Sequence, residues 1–262
     1  MIPRVLSRLR GARRFVSRSE QAARIMRLPR RHGAPSDRGL ILIQVDGLSR
    51  GEFERAMARR RMPFLRRLLR RGDYRLLTHY SGIPSTTPAV QGELFYGVRT
   101  GVPAFQYRDR RTGNLTWLLN SETAAHLEKR FQAQGKPLLE EGSAYSDIFS
   151  GGAQDSSFCS SRMGWSDVLR RANPLLLGGV LLAHAFVVVR ILALAVIELM
   201  LAILDCATGL VERENILLEL AFVPKRVAVT VLLREMVSLG VRMDIARGVP
   251  IIHCNFIGYD EQ

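Results

Sequence analysis

The stretch Leu40-Ile-Leu-Ile-Gln-Val45 constrains the fold more than any other part of the chain. It is an almost unbroken run of β-branched residues and Leu, the pattern of a strand covered on both faces in a parallel sheet. Asp46-Gly47 ends it, and the Gly- and Pro-punctuated stretch 31–39 precedes it as a linker. Two helical segments are expected next, over 51–60 and 63–71. Around the second, Met62, Phe64, Leu65, Leu68 and Leu69 form one apolar stripe, arginines fill the opposite face, and Gly72 supplies the stop. A second strand is expected from about Tyr74 to Tyr80, followed by a loop that opens another helix. Strand, helix, strand and loop-to-helix begin a doubly wound α/β sheet.

Later sequence is less regular. Residues 114–165 are polar and rich in Gly and Ser, and read as a cap or loop region. Residues 166–248 read as a helical insertion whose segment 172–204 is strongly apolar, and residues 172–189 carry no charge. A mixed helical stretch over about 214–247 is broken near Pro224 and ended by Gly248. Pro250-Ile-Ile-His-Cys-Asn-Phe-Ile257 returns to a strand pattern and delivers Gly258-Tyr259-Asp260 at its carboxyl end. The expectation is an α/β chain with a doubly wound, mostly parallel sheet and a long, apolar helical insertion. Its parts are a basic arm (1–38), a first core segment (39–113), the cap (114–165), the insertion (166–248) and a last core strand (249–262).

Bulk properties narrow the partners. Of the 262 residues 47% are hydrophobic, enough to bury the core of one large α/β domain. The formal net charge of +14 points to anionic partners: phosphoesters, anionic lipid headgroups or nucleic acid. The first 31 residues hold ten arginines against the single acid Glu20, with no run long enough for a secretory signal. Such an arm is either solvated and partly disordered or drawn to an anionic membrane; an organellar transit peptide shares its composition. Few aromatics interleave with these arginines, which argues against nucleic acid. Cys159, Cys206 and Cys254 are odd in number and widely spaced, which argues against a disulfide scaffold or structural zinc site.

Three short segments carry the chemistry. A carboxylate just past a buried parallel strand, as at Asp46, lies where ligands gather in open α/β sheets and suits a hard cation, although Asp-Gly also makes ordinary turns. In Gly82-Ile-Pro-Ser-Thr-Thr87-Pro88, Thr87 stands at an expected N-cap and Pro88 in the first helical turn. The free amides of that turn and the helix dipole favour a phosphoryl group, and a bound metal is a standard way to activate such a hydroxyl. Phe256-Ile-Gly-Tyr-Asp260-Glu261 ends a second strand in another carboxylate.

Together these segments resemble the type I phosphodiesterase and nucleotide pyrophosphatase branch of the alkaline-phosphatase superfamily. The resemblance covers about 39–113 and 250–262. It implies that Asp46 and Asp260 bind metal and that Thr87, the last residue of Pro84-Ser85-Thr86-Thr87, is both nucleophile and metal ligand. It also implies two divalent ions, expected to be zinc. Tyr96-Gly-Val-Arg-Thr-Gly101-Val, Arg108-Asp109 and Thr112-Gly113 resemble the family's continuation. Phe105 stands where the resemblance places a phosphoryl-binding Asn, so that either Gln106 substitutes or the transition state is bound differently. Asp260 resembles the start of an Asp-x-x-x-His pair whose His falls beyond Gln262, so the metal site is incomplete here. The chain is therefore expected to be truncated, or completed by a partner polypeptide, and weakly active alone. Sulfatases carry Cys or Ser in a C/S-x-P-x-R pattern that Thr86-Thr-Pro-Ala-Val90 lacks.

The apolar segment could lie in a membrane interface, form a buried lid or dimerisation helix, or span a bilayer. One crossing would put Asp46 and Thr87 opposite Asp260. The functional expectation is a metal-dependent phosphoester hydrolase associated with a membrane, at its cytoplasmic face, acting on a lipid-like ester. The alternatives are a membrane-lipid phospho-headgroup transferase and a non-catalytic membrane-associated fragment.

Overall fold

The structure, a computed structural model, describes residues 18–25, 28, 39–72, 74–99, 102–110, 112–162, 185–212 and 227–259. In chain order the elements are α1 (Arg18–Ile25), β1 (Leu40–Val45), α2 (Arg50–Ala58), α3 (Pro63–Arg70), α4 (Thr87–Tyr96), β2 (Gln106–Arg108), β3 (Leu115–Trp117), α5 (Ser121–Gln132), β4 (Ser143–Tyr145), β5 (Asp155–Ser157), α6 (Ala185–Glu212), α7 (Arg234–Arg247) and β6 (Ile251–Phe256). A π-helical turn over Ala228–Leu233 runs directly into α7, which ends at Gly248 in the left-handed conformation (φ 81°).

The chain is α/β, built on a four-stranded sheet of order β1-β6-β4-β5 in which every pair is parallel. Side chains alternate across a strand, so consecutive residues of β4 enter different cores. Ala144 joins Phe95, Leu127, Phe131 and Phe149 beneath α4 and α5. Tyr145 joins Val237, Ile252 and Cys254 beneath α7. Both faces of the central strands are therefore covered. The Tyr145 hydroxyl donates to Asp244 (2.6 Å), and Arg247 links Asp244 (2.8 Å) to Asp155 (3.1 Å), fastening α7 to β4 and β5 with paired rather than isolated buried charges.

The strand expected before Asp46 and the strand expected near 250–257 are both present, paired side by side from Leu40↔Ile251 to Val45↔Phe256. The expected burial of β1 is not. Among the described residues it is the edge strand with one neighbour, and Ile41, Ile43 and Val45 are exposed on the face that α7 leaves open. The helices expected over 51–60 and 63–71 form as α2 and α3, but neither buries a residue, so the apolar stripe of α3 faces no core. The strand expected over Tyr74–Tyr80 does not form. Its described residues are extended without a ladder, and Leu77 and Tyr80 are 79% and 76% exposed.

The stretch 114–165, expected as a cap, instead supplies α5 and two of the four sheet strands, and residues 142–151 are buried without a break. Strands of three residues give no readable periodicity, and here backbone pairing buries the Ser and Gly. In the basic arm, α1 packs on α7 through Ala22, Leu28, Leu239 and Met243; residues 1–17 and 29–38 lie outside the described residues. So does 172–184 of the expected apolar segment. The remainder forms part of α6, whose Arg190 pairs with the buried Glu235. Among the described residues no helix is long and apolar enough to cross a membrane.

A Cβ at Gly142 would stand 2.3 Å from the Ile251 carbonyl oxygen, so the approach of this turn to β6 requires glycine. Gly142→Ala is expected to destabilise the protein by about 1–3 kcal/mol in urea unfolding. At Gly51, where a Cβ meets nothing within 4 Å, the same change is expected to alter stability by less than about 1 kcal/mol.

Candidate active site

Parallel pairing sends β1, β6 and β4 out at one edge of the sheet, the edge where open α/β folds gather ligands. The Asp46 amide donates to the Phe256 carbonyl oxygen (3.1 Å), which extends the ladder one residue past β1 and fixes the carboxylate beside the end of β6. Across this edge lies the start of α4. Thr86 is the N-cap residue, with φ −89° and ψ 149°, and Thr87 is the first helical residue; the cap expected at Thr87 is displaced by one. The displacement leaves the Thr87 hydroxyl free of capping duty. It points instead at Asp46 and donates to its carboxylate, with Oγ1 at 3.0 Å from Oδ2 and 3.2 Å from Oδ1.

The structure thus brings Asp46 and Thr87 together, as the sequence led us to expect. Asp260 lies outside the described residues, which end at Tyr259 in the turn after β6. Gln106 is not brought to the pair. It is exposed on the β2–β3 ribbon, opposite Trp117, and no hydrogen bond among the described residues joins it to Asp46 or Thr87.

Two oxygens that share a small divalent cation at about 2.1 Å stand roughly 3 Å apart, which the Asp46–Thr87 separation matches. Thr86 Oγ1 is buried beside them without a protein partner. The first-turn amides of Thr87 and Ala89 have no acceptor within the helix, and Pro88 has no amide to satisfy. A carboxylate, a hydroxyl and the free amides of a helix start therefore lie close together. Among the described residues no group of three His, Cys, Asp or Glu side chains is placed to hold a metal ion, so these residues fit a cation only in part. A cavity of about 260 Å³ also opens at this sheet edge, lined by Val45, Phe256, Leu233, Arg234 and Tyr259 among others. It lies on the α7 side, where Val45 points, and not on the Asp46 side.

Beneath the pair runs a buried polar network that the sequence reading missed. Gln91, one turn beyond Thr87, donates to Asp147 Oδ1 (2.8 Å) and accepts from the Ile148 amide (2.8 Å), with a longer approach of 3.5 Å to Gln44. Asp147 Oδ2 lies 2.9 Å from His253 Nδ1, and the imidazole meets the Phe95 ring edge to face. Ser146, at φ 61°, makes the left-handed turn that swings Asp147 inward from the end of β4. A signal for this network was present: Gln44 and His253 interrupt otherwise apolar strands, and a polar residue facing a core needs a partner there.

Comparison of the chain with family models, with curated proteins and with solved structures finds no match.

Burial pushes the Asp147 carboxyl above the ordinary carboxylate range, against the opposing influence of His253. A carboxyl whose folded-state pKa is raised contributes stability at acid pH, and that contribution is lost as pH rises from about 3.8 through the folded value. Asp147→Asn removes this titration. The stability advantage of the native chain over the variant, measured by urea unfolding, is therefore expected to be smaller at pH 7 than at pH 4. An advantage that grows with pH would show that Asp147 is ionised throughout and held by His253.

Proposed function

We propose that the chain is a metal-dependent hydrolase of phosphoesters, with Thr87 as nucleophile and Asp46 as its partner carboxylate. The observation that carries this reading is the Thr87 Oγ1–Asp46 hydrogen bond across the carboxyl edge of a parallel sheet. The site chemistry supports it step by step. Asp46 accepts the Thr87 proton as Oγ1 attacks phosphorus in line, the P–O bond to the alcohol breaks, and the alcohol departs with a proton from solvent. Water then cleaves the phosphothreonine and the Thr87 hydroxyl regains its proton. The amides of Thr87 and Ala89 face the phosphoryl oxygens, where the helix dipole adds to their attraction. Divalent ions, with zinc the expected choice, would be held by Asp46, Thr87 and Asp260, and supply charge neutralisation for the nucleophile and the leaving oxygen.

The proposed relationship to the type I phosphodiesterase branch rests on the same residues. So does the idea of a doubly wound core, which the covered faces of β4 and β6 support. We also propose a membrane surface as partner and a lipid-like ester as substrate. On α6, Val189, Leu192, Val196, Met200 and Ile203 follow a helical spacing and are all more than half exposed. The same outward face favours a second reading, a headgroup transferase that passes the phosphoryl unit from Thr87 to a lipid alcohol instead of to water.

With zinc supplied, bis-p-nitrophenyl phosphate is expected to turn over. Thr87→Ala and Asp46→Asn are each expected to lower kcat by at least about 100-fold, and a chelator to abolish it reversibly. Equal rates for the native chain and Thr87→Ala, with both folded by circular dichroism, would overturn the assignment. Adding a long-chain alcohol separates the two enzymatic readings, because only the transferase yields the alkyl phosphoester.

A further inference from the structure

A second surface carries a different inference. Helices α2 and α3 form a hairpin whose turn places Arg60 at φ 58°. From Arg59 to Arg71 the sequence holds seven arginines and no acid. Arg59, Arg60, Arg61, Arg67, Arg70 and Arg71 are exposed and Arg66 is half-buried. Among the described residues no acidic side chain pairs with any of them; the hairpin's ion pairs, Arg50–Glu54 and Arg55–Glu52, lie earlier in α2.

The apolar side of α3 is equally distinct. Phe64, Leu65, Leu68 and Leu69 occupy one face, with Arg66, Arg67 and Arg70 on the opposite one. In a helix packed on a globular core the apolar stripe is covered. Here α3 buries nothing, Phe64 is 62% exposed and Leu65 is 39% exposed. A short helix with Phe64 and Leu65 exposed, Leu68 and Leu69 half-buried, and an arginine face that no acid among the described residues pairs with meets the physical requirements of an element lying in a bilayer interface.

We propose that the α2–α3 hairpin docks on an anionic lipid surface, Phe64 and Leu65 entering the headgroup–acyl boundary while the arginines engage lipid phosphates. Charge decides the occupant. A second copy of the chain would bring seven further arginines against these seven, whereas an anionic bilayer neutralises them. Nucleic acid would satisfy the arginines and leave the apolar face in water. The inference deepens the membrane-partner reading above, and vesicle binding is measured without turnover, so its failure is distinguishable from failure of the hydrolase reading.

The test is co-sedimentation of the whole chain with phosphatidylcholine vesicles, with and without about 30 mol % phosphatidylglycerol, in about 0.1 M salt. The native chain is expected to bind the anionic vesicles at least about tenfold more tightly. R67E/R70E/R71E is expected to lose that preference, and F64S/L65S to weaken binding about tenfold while steepening its salt dependence. Both substitutions fall on residues that bury nothing, and circular dichroism checks that the fold is kept. Unchanged vesicle binding in both variants would overturn the proposal and assign the membrane contact to another part of the chain. Tight binding to a DNA duplex that R67E/R70E/R71E abolishes, with vesicle binding indifferent to F64S/L65S, would overturn it in favour of nucleic acid.

Discussion

One buried carboxylate ties this molecule together. Asp147 receives Gln91 from α4 on one oxygen and faces His253 of β6 with the other, at the point where the chain leaves β4. Three elements remote in sequence thus share a single carboxyl group from which water is excluded. Removing either partner would leave a buried polar atom of the carboxyl group unsatisfied, which couples the three elements at this point. Its consequence for the site is direct. Gln91 sits one helical turn from Thr87, and β6 holds the strand that ends in Asp46, so the network fixes both members of the hydroxyl–carboxylate pair from below.

The readable parts of the sequence were those where one physical signal dominates. An unbroken apolar run marked β1 and the return to such a run marked β6, while an apolar stripe opposite arginines marked α3. That Asp46 and Thr87 share a site was implied by the resemblance to the phosphodiesterase branch, since each segment alone reads as an ordinary turn or a capped helix. The structure sets the two side chains within hydrogen-bond distance. The cap position was wrong by one residue because two adjacent threonines compete for it, and only backbone geometry shows that Thr86 takes the extended conformation.

What could not be read depended on long-range pairing. Ser143, Asp155 and Ser157 look like loop residues, yet they lie in strands because β6, from the other end of the chain, supplies a ladder for β4. Periodicity describes what a segment favours and not whether a partner exists. The same limit explains the opposite error at Tyr74–Tyr80, where a strand-like composition meets no neighbour. Burial of β1 was over-read for a related reason: an apolar run states a need for cover, and the edge position leaves that need unmet on one face.

The edge position of β1 bears on the mechanics of the site. Asp46 stands at the tip of a strand that, among the described residues, is gripped along one flank, so the lateral stiffness of its carboxylate comes from β6 and from the contact with Thr87. Small sideways travel of that tip changes the geometry at the hydroxyl without disturbing either core. Anything that seats against the outer rim of the strand would therefore shift the Asp46 carboxylate relative to the Thr87 hydroxyl.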